Sequence, residues 1–568
     1  MPPETPNPVT GEAISGGPPR HVVAMPYPGR GHVNPMMNLC KTIATKAATI
    51  NNVTTLIITL VLTEEWTALI GEPPDLPNLR IRSIPNVIPS ELNRAADFAG
   101  FLRAVYSKME GPFERLLDGL EAHHPVDAIV ADTYLAWAVA VGNRRNIPVV
   151  SLWTMSPSVF SVFYHFHLLE HKGHFPADLS GGAGFVTRNA ISIPISIPTY
   201  GGARENFEFH STSGRDPHSL SVFMIFVENL HGDFSWWRGV ILPCPAPDSE
   251  RGDEIVDYIP GLSPTRLADF PTFFSGVGRE VLGLALDAFV WVRRAQGLMF
   301  TSFYELEPRV IDALKSTLPF SPIYSVGPLI PHNTLADHTT RSTTKNDHVD
   351  YYFKWLDSHP KSSVLYVSLG SFLSVSKEQM DEIIAGVHES GVPFLWVARG
   401  DAERVQKACG EKGLVVPWCD QLRVLCHGSV GGFWTHCGWN STLEGVFAGV
   451  PMLTFPIFYD QIPDRKLIVD EWKIGRKVVG AGEVVKRAEI ASIVKEVMDL
   501  EGEESREMRR RVGELSESCR RALADEGSSE ADINAFFREF LRSGIRRDGD
   551  EDGDENSSLR GDGYEDEG

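Results

Sequence analysis

Basic charge is scarce in this chain. Its 568 residues carry 53 Lys and Arg against 74 Asp and Glu, a net charge of −21. That balance argues against a nucleic-acid partner, whose phosphates require a basic surface. Part of the imbalance is local: from Asp548 onward, "DGDEDGDENSSLRGDGYEDEG" holds ten acids against Arg560 alone and contributes −9. A stretch so charged and so poor in apolar residues cannot bury a core, so residues 546–568 are expected to form a disordered acidic tail.

Long hydrophobic runs are missing too. The longest, "TLIITLVL" from Thr55, is far shorter than the ~20 residues of a membrane-spanning helix and reads as a buried strand. No membrane span is expected. Cysteines are few, seven in number, with no pair at a zinc-like spacing (Cys40, Cys244, Cys409, Cys419, Cys426, Cys437, Cys519). The odd, scattered set fits free thiols in a reducing compartment better than a disulfide framework. The first twenty residues are rich in Pro and Gly and lack the apolar segment of a secretory signal. Residues 1–20 read as a flexible extension, and a cytoplasmic location is expected.

What remains is an ordinary globular composition, 42% apolar and 22% charged, in a chain too long for one core. Short apolar runs recur between helical patterns: "HVVAMPY", "TTLIITLVL", "VDAIVAD" and "IPVVSLW", then "GLMFTSF", "SVLYVSLGS", "VPFLWVAR", "SVGGFWT" and "VPMLTFP". Continuous apolar strands separated by helices imply parallel sheets covered on both faces, an α/β doubly wound architecture. The runs fall into two sets, predicting Rossmann-like domains over 21–330 and 363–545 that face each other across a cleft. The polar stretch "PHNTLADHTTRSTTKNDHVD" opens a linker placed at 331–362. Residues 180–251, rich in Gly, Pro and Ser without clear periodicity, break the rhythm and read as an atypical, irregular insertion in the first domain.

The run "HVVAMPYPGRGHVNP", residues 21–35, has the strand, glycine turn and helix of a dinucleotide-binding fingerprint. The third glycine of that fingerprint is absent, with Asn34 in its place, and His32 sits in the turn. Asn34 and Pro35 suit the cap and first turn of the following helix.

A second segment, Trp418 to Gln461, reads as a strand "GGFWT", a turn "HCGW" and a helix starting near Asn440 or Ser441. A helix N-terminus behind a glycine turn presents free N–H groups and suits phosphate, with His436 as a further donor. Ser441 and Glu444 also have the S-x-x-E spacing, which by itself reads as a capping box.

The whole span, with its opening Trp, "THCGWNS", "AGVP" and the final Asp-Gln, closely resembles the plant secondary product glycosyltransferase box of family 1 UDP-dependent glycosyltransferases. Further resemblance lies in "PGRGHVNP", "VADTYLAWA", "SLWTMS", "DYIPGL", "TSFYELE", "YSVGPL" and "YVSLGS". It implies a GT-B fold and inverting, metal-independent transfer of a sugar, glucose above all, from a UDP-sugar to a hydroxyl of a small lipophilic plant metabolite. No cofactor beyond the UDP-sugar co-substrate is implied, and a monomer is expected.

The resemblance also implies roles. Trp418 stacks on uracil and the Cys419 backbone pairs its edge. Gln421 and Glu444 hold the ribose, and His436, Asn440, Ser441 and Ser371 the diphosphate. Trp439, Asp460 and Gln461 face the sugar, together with Thr154 from the first domain. His32 is the general base, oriented by Asp132 as in triad logic. An ordinary imidazole, titrating near ~6.5, is able to accept a proton at neutral pH.

Departures from the family pattern are Asp420, where proline is usual, and Asp464-Arg465, where Asn-Ala is common. The D-x-D matches at Asp548 and Asp552 follow from the tail's composition and carry no metal expectation. A UDP-sugar-binding protein with little turnover, its acceptor site spoiled by 180–251, is the alternative function. A nicotinamide-dependent dehydrogenase is disfavoured by the missing glycine.

Overall fold

The computed structural model describes residues 19–47, 56–71, 76–91, 97–175, 221–228, 234–241, 251–272, 279–318, 322–335, 347–370, 375–398, 402–478 and 484–541. Residues 1–18 and the acidic tail lie outside these. So does most of 180–251, of which the structure describes one antiparallel strand pair, Ser221–Glu228 with Phe234–Ile241, and the final residue.

Two parallel sheets organise the rest. The first contains β1 (Arg20–Met25), β2 (Leu56–Thr63), β3 (Leu79–Ile84), β4 (Ala128–Asp132), β5 (Val149–Trp153), β6 (Gly297–Phe300) and β7 (Ile323–Ser325), in the order β7-β6-β5-β4-β1-β2-β3. The second contains β8 (Val364–Ser368), β9 (Phe394–Val397), β10 (Gly413–Val416), β11 (Val430–Thr435), β12 (Met452–Thr454) and β13 (Gly475–Lys477), in the order β10-β9-β8-β11-β12-β13. The apolar runs are continuous because both faces of each sheet are covered. Val22 and Ala24 enter one core while Val23 and Met25 enter another, and all eight residues of β2 are buried. Leu365 and Val367 are likewise split from Val364 and Tyr366 in the second sheet.

Four helices matter below: α1 (Arg30–Ala47), α2 (Glu110–Glu121), α3 (Trp439–Ala448) and α4 (Ser528–Phe540). Helix α4, expected with the second sheet, returns to the first. Its Ile533, Phe536 and Phe537 share a core with Met299 and Tyr324, and Asp532 accepts from the Ser325 N–H at 2.6 Å. Its apolar face finds there the cover that β6 and β7 need. Residues 347–357, inside the expected linker, form a helix whose Tyr352 and Leu356 pack into the core of the second sheet.

The strand orders place the functional loops. In the first sheet the chain leaves β1 toward β2 and leaves β4 toward β5, so the loops after β1 and β4 part and open a crevice between them. The second sheet repeats this at β8 and β11. Such topological switch points at the carboxyl ends of strands are where open α/β sheets bind ligands.

Candidate active site

His32 lies in the first turn of α1, after β1, and Asp132 is the last residue of β4. The pairing of β1 with β4 brings them together: His32 Nδ1 is 2.7 Å from Asp132 Oδ2. The other oxygen, Oδ1, accepts the Tyr134 backbone N–H at 3.0 Å. Asp132 is 2% exposed, while the His32 side chain keeps 20%. Thr154, read from the sequence as a sugar contact, has its Oγ1 2.8 Å from the same His32 Nδ1 and is buried. The imidazole is therefore gripped at Nδ1, and among the described residues its Nε2 has no hydrogen-bond partner. Tyr27 and Tyr134 flank the ring, with centroids 4.9 and 6.3 Å away.

The turn differs from the sequence expectation in one respect. Helix α1 starts at Arg30, so Asn34 and Pro35 lie inside it and not at its cap. Gly29 O accepts from the N–H groups of both His32 and Val33 at 2.9 Å. A proline within a helix has no N–H for the carbonyl four residues back, here Gly31 O. That carbonyl accepts instead from Asn440 Nδ2 at 2.9 Å, across the cleft from α3. The helix defect at Pro35 thus frees the acceptor that ties the two domains beside His32.

Facing this, α3 begins at Trp439 with Gly438 as its N-cap and no side-chain cap. The capping-box reading of Ser441 and Glu444 therefore falls, since both lie within the helix. They bind Gln421 instead, whose Nε2 donates to Ser441 Oγ at 2.9 Å and to Glu444 Oε2 at 2.5 Å. Tyr366 OH donates to Gln421 Oε1 at 3.1 Å and lies 3.4 Å from Cys419 Sγ. Burial pushes the Glu444 carboxyl up to about 7, partly opposed by the Gln421 hydrogen bond. Trp418 is 56% exposed, a flat apolar face open to solvent at the edge of this cluster. Asp420 caps the helix at Gln421–Leu425, accepting from Arg423 N at 3.3 Å, which explains an acid at this position.

His436 follows β11 and packs between two glycines. A Cβ at Gly438 would come within 2.5 Å of its ring, and one at Gly370 (φ +87°) within 2.9 Å, so both positions require glycine. Burial lowers its imidazole to about 4, and its Nδ1 has no partner among the described residues. Ser371 lies outside the described residues. Trp439, expected to face the sugar, is 3% exposed and packs in the second-sheet core 6.3 Å from Trp472.

Asp460 is the N-cap of the short helix that begins at Gln461. Gln461 Oε1 accepts from the Ile457 and Phe458 N–H groups at 2.8 and 3.0 Å, which fixes the side chain and leaves its amide nitrogen as a donor. Burial raises the Asp460 carboxyl, and the nearby His32 charge opposes that rise. Tyr459, missed from the sequence, holds a left-handed backbone (φ +60°), and its hydroxyl meets that of Tyr134 from the first domain. Its N–H donates to Thr272 Oγ1 at 2.8 Å. Nothing in the sequence marks this tyrosine, because its left-handed backbone and its partner 325 residues away appear only in the fold. Of the two departures after the box, Arg465 pairs across the domains with Asp269, which also holds Arg266 at 2.9 Å. Asp464 is fully buried, and burial with the adjacent Asp460 charge pushes its carboxyl well above the usual range.

A His–Asp pair thus stands opposite the N-terminus of α3, each at a switch point of its own Rossmann-like domain. The model of the family "UDP-glucoronosyl and UDP-glucosyl transferase" matches residues 325–509. UDP-glycosyltransferase 87A2 of Arabidopsis thaliana is 45% identical over 524 residues, 91% of this chain and 96% of that protein. UDP-glycosyltransferase 87A1 of the same plant is 44% identical over 522 residues, 91% of this chain and all of its own length. The fold matches that of Phytolacca americana UGT2, complexed with UDP-2fluoro-glucose and pterostilbene, with TM-score 0.67 and 23% identity over 92% of this chain and 99% of that one. Medicago truncatula UGT71G1, complexed with UDP-glucose, gives TM-score 0.65 and 22% identity over 92% and 98%. This chain belongs to the plant family 1 UDP-glycosyltransferases. It is a glycosyltransferase enzyme whose co-substrate is a UDP-sugar. Among the described residues no helix is long and apolar enough to cross a membrane.

Proposed function

We propose that the enzyme transfers glucose from UDP-glucose, with inversion, to a hydroxyl of a small lipophilic acceptor, using His32 as general base. The observation that carries this reading is the 2.7 Å contact of His32 Nδ1 with the buried Asp132. With Nδ1–H donated to the carboxylate, the lone pair sits on Nε2. The acceptor O–H gives its proton to Nε2 while its oxygen attacks the anomeric carbon from the face opposite UDP. The bond from that carbon to the diphosphate breaks, and the electron pair leaves with UDP. The imidazolium so formed lies against Asp132, which stabilises it without taking its proton.

The departing charge develops toward the N-terminus of α3, where backbone N–H groups, His436, Asn440 and Ser441 act as donors. Trp418 supplies the stacking face for uracil, and Gln421 with Glu444 a pair of polar groups for the ribose. The amide nitrogen of Gln461 is the sugar contact on which the preference for glucose rests. A lipophilic acceptor is supported by Tyr27 and Tyr134 beside His32 and by Phe98 and Phe458, 5.9 Å apart and packed against the same core.

The test is a panel of phenolic and aliphatic alcohols incubated with the purified chain and UDP-glucose or UDP-galactose. NMR of the product reads the anomeric configuration. A β-glucoside is expected; an α-glucoside, or faster transfer of galactose, would refute the proposed stereochemistry or sugar preference.

A further inference from the structure

At the opposite end of the first sheet from His32, an open pocket of about 390 Å³ lies between the starts of β1, β2 and β3 and helix α2. Its walls are cationic in a chain of net charge −21. Arg80 and Arg82 lie two residues apart on one face of the edge strand β3, Arg115 lines the pocket from α2, and His123 lines it from just beyond the end of that helix. His21 stands at the back, 2% exposed, with its Nε2 2.8 Å from Thr59 Oγ1.

The acids of α2 do not neutralise this wall. Glu110 and Glu114 pair with Arg144 at 2.7 and 2.8 Å, and Asp118 and Glu121 with Arg145 at 2.7 and 2.9 Å. The helix thus turns its carboxylates toward Arg144 and Arg145 and presents Arg115, Leu116, Gly119 and Leu120 to the pocket. Asp127 is taken by Arg20 at 2.6 Å and by the His21 N–H at 2.8 Å. Among the described residues Arg80, Arg82 and Arg115 have no carboxylate partner. Protection of an exposed sheet edge accounts for charges on β3, but not for a third arginine that lines the same space from a helix.

Arginine forks bind phosphate oxygens bidentately, and the volume lies within the ~300–1,000 Å³ typical of small-ligand sites. We propose that this pocket binds a small phosphate-class polyanion, a di- or triphosphate or a phosphate ester whose compact apolar part rests on Leu116 and Leu120. It is a second anion site, separated from the donor site by the length of the sheet.

Calorimetry with inorganic triphosphate tests this on the full chain, with saturating UDP present to fill the α3 site. One-to-one binding is expected under UDP, weakened tenfold or more by Arg82→Gln and by Arg115→Gln and left unchanged by Arg144→Gln. The two variants lie on different elements, and an unchanged melting transition and circular dichroism spectrum report that each is folded. Absence of binding under UDP, or unchanged affinity in both folded variants, would overturn the proposal. A full-length chain with the ten acids from Asp548 onward changed to Asn and Gln separates a second source of polyanion. Tenfold tighter triphosphate binding by that variant would assign the pocket to the chain's own acidic segment instead.

Discussion

Replacing Asp132 by Asn keeps the side-chain shape and removes its charge. Both oxygens of Asp132 are engaged, Oδ2 with His32 Nδ1 at 2.7 Å and Oδ1 with the Tyr134 N–H at 3.0 Å. Since both neighbours present hydrogen, an asparagine must turn its own N–H₂ toward one of them. The Tyr134 backbone cannot change its proton, so the amide oxygen stays there and the N–H₂ meets Nδ1. His32 accepts that hydrogen only as the tautomer protonated on Nε2, which has no lone pair for the acceptor hydroxyl. The Thr154 hydroxyl, 2.8 Å from Nδ1, is able to donate to the same tautomer. Loss of the charge-assisted hydrogen bond costs about 1.5–3 kcal/mol, roughly 10–150-fold in rate. Tautomer reversal carries the total toward the ~10⁴-fold seen in hydroxyl-activating triads. We expect kcat to fall about 10²–10⁴-fold in steady-state assays with UDP-glucose, with UDP affinity by calorimetry within about twofold. A kcat within threefold of the parent would refute the reasoning.

Trp418→Ala is expected to weaken UDP binding by about 1–3 kcal/mol through lost stacking, read by calorimetry, with no loss of thermal stability because the side chain is exposed. Pro35→Ala supplies an N–H that competes with Asn440 for Gly31 O. The variant should melt higher, since helix-interior proline is costly, yet show kcat/KM lowered by about 3–10-fold, the worth of one hydrogen bond. Glu307 is 5% exposed, and burial raises its carboxyl from 4.5 to about 7. Between those values the folded chain holds the proton that the unfolded chain releases, so this group lowers stability as pH rises from about 4.5 to 7. In urea unfolding, Glu307→Gln should gain on the order of 2–3 kcal/mol at pH 8 relative to its difference at pH 4; an equal difference at both would exclude this assignment.

The sequence runs named nine of the thirteen parallel strands, and the four not named are the edges of the two sheets: β3, β7, β10 and β13. Edge strands are covered on fewer sides, so "LRIRSI" alternates and "GRK" has no apolar run at all. The donor box was legible because its residues are local: a strand, a glycine turn and a helix within one span. What escaped depends on pairing at long range. Asn34 looked like a cap because nothing in the sequence shows that the helix begins at Arg30. Thr154 was read as a first-domain residue, but its contact with His32, 122 residues away in the chain, had no local signature. Trp439 is held in the core by Trp472, thirty-three residues on, a contact with no local signature.

The most direct test of the mechanism is His32→Ala, assayed for glucoside formation from UDP-glucose and an alcohol acceptor. UDP affinity is measured on the same preparation. Product formation should fall about 10²–10⁴-fold, the usual contribution of general-base assistance. UDP affinity should stay within about twofold, because the uracil, ribose and diphosphate groups proposed here lie in the second domain. A variant that binds UDP normally and retains more than half of the parent rate would contradict the assignment of His32 as the base.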